Sequence, residues 1–141
     1  MPPKKKNPFK LRDFMGIQEE HVEKLEKLGI KNTAQMIAAG QTREKRAFLA
    51  RQAGIPMEAV VELVKLSDLS RLPGVKGIRA RLYYEAGVDT VEKIAAFEPQ
   101  ALLRLTTEFV ERTGFNGIPP LPKEVSSTIA NARGLPKVVE W

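Results

Sequence analysis

A glycine followed by an apolar residue, with the same pair again thirteen residues later, occurs twice in this chain. Gly16-Ile17 precedes Gly29-Ile30, and Gly74-Val75 precedes Gly87-Val88, the copies standing 58 residues apart. The match extends past the glycines. Leu25 and Leu28 correspond to Tyr83 and Ala86; Thr33, Ala34 and Ile37 correspond to Thr90, Val91 and Ile94 after one extra residue. A repeat decides architecture before any single element does. Two copies predict a structural duplication rather than a solenoid, which usually needs about three or more repeats.

Glycine also punctuates the rest of the chain. Gly29, Gly40, Gly54, Gly87, Gly114 and Gly134 each follow a stretch of helical apolar spacing, where a helix closes through a left-handed residue. Val22, Leu25 and Leu28 make one stripe. Thr33 and Thr42 are placed to cap the next two helices, and Pro56 to open a fourth that turns Val60, Leu63 and Val64 inward. Ser67 is expected to cap a short turn running to Leu72. Helices over about 77–86, 90–97, 99–113 and 123–133 follow, with the proline-rich loop 114–122 before the last. No segment alternates as a strand does. The expected fold is all-α.

The second copy has a distinct chemistry. Leu72-Pro73-Gly74-Val75 stops one helix and opens another, because proline lacks an N–H donor and glycine permits the reversal. The first amides of the new helix point outward without partners, and such a start favours anions. Arg71, Lys76, Arg79 and Arg81 surround it, with no acidic residue between Asp68 and Glu85. Gly74, Val75, Lys76, Gly77, Arg79, Arg81 and Arg71 therefore form the candidate nucleic-acid-binding site, on which a backbone phosphate would sit. The alternative is a plain corner with a solvated basic face. In the first copy Gln18, Glu19 and Glu20 occupy the corresponding place, and carboxylates there satisfy the helix dipole internally.

Leu72, Pro73, Gly74, Val75 and Ala80 resemble the helix-hairpin-helix motif, with Lys76 where that motif carries its second glycine. The stretch from about Phe14 to Pro136 also resembles a family of tandem helix-hairpin-helix proteins catalogued as a domain of unknown function. The residues that carry this are Ala39-Gly40 with Thr42 and Arg46, Leu49-Ala50, Gly54-Ile55, Ser67-Asp68-Leu69, Ala86-Gly87-Val88-Asp89-Thr90-Val91, Pro120-Leu121 and Leu135-Pro136. The resemblance implies short helices in two helix-hairpin-helix (SAM-like) units packed into one compact domain. In that motif the hairpin amides hold a backbone phosphate. No activity follows from the resemblance, and function has to be argued from the site.

Charge bears on partners through its position. Of 23 basic residues, Lys4, Lys5, Lys6, Lys10 and Arg12 precede the first acid, leaving 18 against 17 acidic ones. The expected organisation is a disordered basic tail over 1–12, a first lobe over 13–66, a second lobe with a C-terminal helix over 67–136, and a C-terminal tail over 137–141. Lys4, Lys5 and Lys6 would add affinity for nucleic acid, and Arg43 and Arg46 form a secondary basic patch. Of Tyr83 and Tyr84, one is expected in the core. Trp141 either caps the core or meets a partner.

Several classes are disfavoured. The absence of cysteine excludes disulfides and thiolate zinc sites. No apolar run approaches the roughly 20 residues of a membrane span. The lone His21 has no triad partners, and neither a P-loop nor a metal-ligand spacing occurs. The expectation is a cytoplasmic, non-enzymatic protein with no cofactor, no metal, no small-molecule substrate and no membrane contact. It would bind DNA or RNA backbone through the second hairpin, with little sequence preference and a log–log salt slope of roughly −4 to −5. The alternative is a protein-interaction or scaffold module that uses the helix-hairpin-helix units only structurally.

Overall fold

The structure, a computed structural model, describes residues 9–115 and 117–141. A 3-10 turn at Leu11–Asp13 leads into eight helices: α1 (Glu19–Lys27), α2 (Thr33–Ala39), α3 (Arg43–Ala53), α4 (Met57–Leu69), α5 (Gly77–Glu85), α6 (Val91–Ala95), α7 (Pro99–Thr113) and α8 (Pro122–Gly134). Among the described residues no strand forms. One isolated antiparallel bridge joins Lys10 to Asn32.

The chain is two copies of a four-helix unit. α1 and α5 begin and end 58 residues apart, and so do the starts of α2 and α6. The turns repeat bond by bond. Asp13 N–H donates to the Lys10 carbonyl as Arg71 does to Asp68, and Phe14 to Leu11 as Leu72 to Leu69. Val22 donates to Gln18 as Ala80 to Lys76, and Ile30 to Leu25 as Val88 to Tyr83. Gly16, Gly29, Gly74 and Gly87 all have positive φ, a backbone state that glycine enters without steric cost. In each unit the last helix packs on the second and third: α4 on α2 and α3, α8 on α6 and α7. α4 also packs on α5, joining the units through one core.

Several expectations change. The cap of α2 is Asn32, whose side chain accepts from the Gln35 amide while Gln35 reaches back to the Asn32 amide. Asn32 thus corresponds to the Thr90 cap of α6, and the repeat runs at a constant 58 with no extra residue. Thr33 is buried instead. Ser67 caps nothing. Neither glycine nor proline interrupts Leu63–Leu69, so α4 continues through Ser67 and buries it. Gly40 and Gly134 lack the left-handed conformation expected of them: Gly40 closes α2 with φ −124°, and Gly134 is the last residue of α8.

The expected tail over 1–12 is too long. Leu11 is fully buried, Phe9 packs edge-on to Phe14 at 4.9 Å, and Leu11 N–H donates to the Lys31 carbonyl at 3.0 Å. Apolar Phe9 and Leu11 take these residues into the body, while Lys4, Lys5 and Lys6 lie outside the described residues. The segment 137–141 is docked too. Val139 is buried, and Glu140 N–H donates to the Gln41 carbonyl at 2.8 Å, returning the end of the second unit to the first.

Candidate functional site

The two repeated turns lie side by side. The anchor is Arg81 on α5, a buried side chain at 4% exposure. Its Nε donates to the Met15 carbonyl at 2.6 Å, its Nη2 lies 3.3 Å from Glu62 Oε1 on α4, and its guanidinium sits 5.4 Å from the Tyr84 ring centre. Gly16 makes room for it, since a Cβ there would lie 2.9 Å from Arg81 Nε. The first turn packs back on the second: a Cβ on Gly77 would lie 2.8 Å from the Asp13 carbonyl oxygen. Gly77 is required by this approach rather than by its φ.

The remaining cations of the second turn also have partners within the chain. Arg79 makes a two-pronged contact with Glu124 on α8, at 2.6 and 3.2 Å, and donates to the Ile118 carbonyl at 2.5 Å. That contact holds the Glu124 carboxyl below its ordinary range. Arg71 donates to Asp68 Oδ1 at 2.8 Å and to the Pro136 carbonyl at 3.1 Å. Burial keeps the Asp68 carboxyl above its ordinary range, against the pull of Arg71. Lys76 is exposed, but its Nζ folds back to the Ser70 carbonyl at 3.2 Å, away from the amides it was expected to flank. Val75 is buried between the helices, and Gly74 sits at the exposed tip.

What stays open is the start of α5. Lys76 provides no side-chain cap, and the amides of Gly77, Ile78 and Arg79 have no acceptor among the described residues. They border a groove of about 460 Å³ lined by Phe9, Asp13, Met15, Lys76 and Ile78. Asp13, an acidic residue, is among those that line the groove where a phosphate was expected. Beside the groove lies an apolar rim that sequence spacing did not single out: Ile78, Ile118 and Leu121 are 50, 79 and 70% exposed around the Arg79–Glu124 pair. Ile118 and Leu121 sit in a loop with no period to mark them.

The two tyrosines divide as expected, Tyr83 in the core and Tyr84 half-buried against Arg81. His21 lies half-buried in a separate groove with Gln18, Glu58 and Glu62. Arg43 and Arg46 sit on the first turns of α3, away from the paired turns, and both donate to the Trp141 backbone oxygen. Among the described residues no His, Asp and Glu side chains gather as a metal site, and no helix is long and apolar enough to cross a membrane.

The model of a family described as a domain of unknown function, DUF4332, matches residues 15–135, and the chain belongs to that family. The matched range spans both copies of the repeat. No curated protein and no solved structure matches the chain.

Proposed function

We propose that this member of the family is a non-enzymatic protein-interaction or scaffold module, in which the two turns are helix-hairpin-helix units serving architecture rather than phosphate binding. One observation carries the reading. Arg71, Arg79, Arg81 and Lys76, the four cations that would hold a nucleic-acid backbone, are all engaged inside the chain, three of them with carboxylates. To grip phosphate, Arg79 would have to leave Glu124 within the second unit, and Arg81 would have to leave the Met15 carbonyl that joins the two units. A partner protein would meet the Ile78, Ile118 and Leu121 rim, whose apolar area has no cover among the described residues.

A second reading keeps one observation in its favour: the open amides of Gly77, Ile78 and Arg79 with exposed Lys76 beside them. Under it the chain binds DNA or RNA backbone, and Lys4, Lys5 and Lys6 add affinity. Duplex binding followed by fluorescence anisotropy against salt separates the two, using a chain whose three tail lysines are changed to glutamine. The scaffold reading expects no binding near physiological salt. Binding that survives the tail changes and disappears with Lys76→Glu would overturn it. Deleting 1–10, as the expected tail invites, is the wrong cut, because Phe9 and Lys10 are part of the fold.

A further inference from the structure

The corner that leads into the last helix is where the two units differ most. In the first unit three residues, 54–56, join α3 to α4; in the second, eight residues, 114–121, join α7 to α8. Both loops open on a left-handed glycine, Gly54 and Gly114. The added length is rich in proline, and it runs Ile118-Pro119-Pro120-Leu121 into Pro122, the first residue of α8. Each proline fixes its own φ at about −65° and turns the residue before it away from the helical region. The backbone is thereby confined to the polyproline II form, and Leu121 has it, with φ −77° and ψ 157°. That form repeats every third residue, so the segment has three edges. Pro120 is buried and seats one edge on the body. Ile118 and Leu121 share the second edge and are 79 and 70% exposed. Pro119 and Pro122 stand on the third, one half-buried and the other exposed.

The body holds the segment in this form. Arg79 on α5 donates to the Ile118 carbonyl, and Glu124 accepts both from Arg79 and from the Leu121 N–H. No backbone N–H among the described residues donates to the Pro119 or Pro120 carbonyl, so both can accept from outside. Lys123 is exposed in the first turn of α8, while the neighbouring acid, Glu124, is taken up by Arg79. The segment thus offers a fixed apolar edge, free acceptors and a positive charge. Aromatic side chains complement such an edge: their ring faces pack on proline and aliphatic groups, and the Tyr O–H or Trp N–H reaches a carbonyl. We propose that segment 118–122 is a polyproline II recognition element, and that its partner is a protein domain with an aromatic-lined groove edged by carboxylates. Because the backbone is already set, docking orders little chain and loses little entropy. This assignment of the partner rests on the scaffold reading above.

Two purified domains serve as probes, one of the WW type and one of the SH3 type, each with an aromatic-lined groove that takes proline-rich segments. Titrated against the full chain in a calorimeter, at least one is expected to bind in the micromolar range. Leu121→Ala, a change at an exposed residue, is expected to raise Kd at least tenfold while leaving the thermal melting profile in place. Pro119→Ala is expected to weaken binding several-fold, because it removes one contact edge and frees Ile118 from its restriction. Lys123→Glu is expected to weaken binding at low salt and to do so less at high salt. Binding by neither domain, or binding unchanged in both Leu121→Ala and Pro119→Ala, overturns the recognition element. Loss in Ile78→Ala without loss in Leu121→Ala moves the contact to α5 and overturns it too. A full chain that sediments as a dimer, and as a monomer once Leu121 is changed, makes a second copy the occupant and equally overturns the assigned partner. The scaffold reading fails by a different result, duplex binding that disappears with Lys76→Glu, so the two failures stay distinct.

Discussion

Arg81 of the second unit reaches the Met15 carbonyl of the first at 2.6 Å, and Gly16 is the residue whose missing side chain lets it in. The contact joins the two copies at the repeated turn itself. A buried guanidinium, a main-chain carbonyl and a half-buried carboxylate share one interaction, and the strength of each part can be separated by substitution.

Arg81→Leu should cost about 2–3 kcal/mol in denaturant unfolding, because it strips a charged donor from the Met15 carbonyl. Glu62→Gln, whose contact to Arg81 is longer at 3.3 Å, should cost less than about 1 kcal/mol. Equal losses for the two would mean that the ion pair, and not the carbonyl contact, holds the units together.

Gly16→Ala and Gly74→Ala remove glycine from similar positive φ values, 76° and 80°, but a Cβ at Gly74 meets open space whereas one at Gly16 meets Arg81. Backbone strain of about 1–2 kcal/mol should appear in both. Gly16→Ala should lose more than Gly74→Ala, and melting temperatures measured in parallel should show that order. Gly77→Ala should lose stability although its φ is ordinary, through collision with the Asp13 carbonyl.

Acid should weaken the second unit through two carboxyls held below their ordinary range. Arg79 lowers Glu124; for Asp89, burial pulls upward but Lys65 and Lys93 more than offset it. A depressed folded pKa gives stability that is present above the unfolded value, near 4, and is lost as pH falls through the folded one. Asp68 acts in the opposite sense, since its folded pKa is raised. Urea unfolding between about pH 5 and pH 3 should show the decline, and Glu124→Gln should flatten part of it.

Val139→Ala should cost about 1–2 kcal/mol and should increase amide exchange at Glu140, because Val139 is the buried side chain that fixes the C-terminal segment. Exchange in α5 should stay as it is. Faster exchange there too would mean that the segment stabilises the whole chain and not merely its own seat.

Much of the architecture was legible in the sequence, for a specific reason. Glycines at 16, 29, 74 and 87 mark backbone states that other residues enter with difficulty, so their spacing records the turns directly. The helix ends at Gly54 and Gly114 were readable on the same grounds. Gly40 was not, because a glycine after an apolar stripe also serves where packing is close, and Gly40 is buried. The candidate site was legible only as a set of charges. Which charges remain available depends on acids far along the chain, Glu124 for Arg79 and Glu62 for Arg81, and no local pattern announces such pairs. The burial of Arg46 escaped for the same reason: its cover is Trp141, 95 residues away.

The repeat is close in backbone but no longer symmetric in charge. Glu23 occupies in α1 the place that Arg81 holds in α5, Glu19 the place of Gly77, and Gln18 that of Lys76. The latch therefore runs one way, from the second copy into the first. Two first halves would set glutamates against each other's turns, whereas two second halves would keep a glycine, Gly74, in the place of Gly16. The first half brings the receiving turn but not the arginine, so a molecule rebuilt from two first halves would lack the contact that now joins the units.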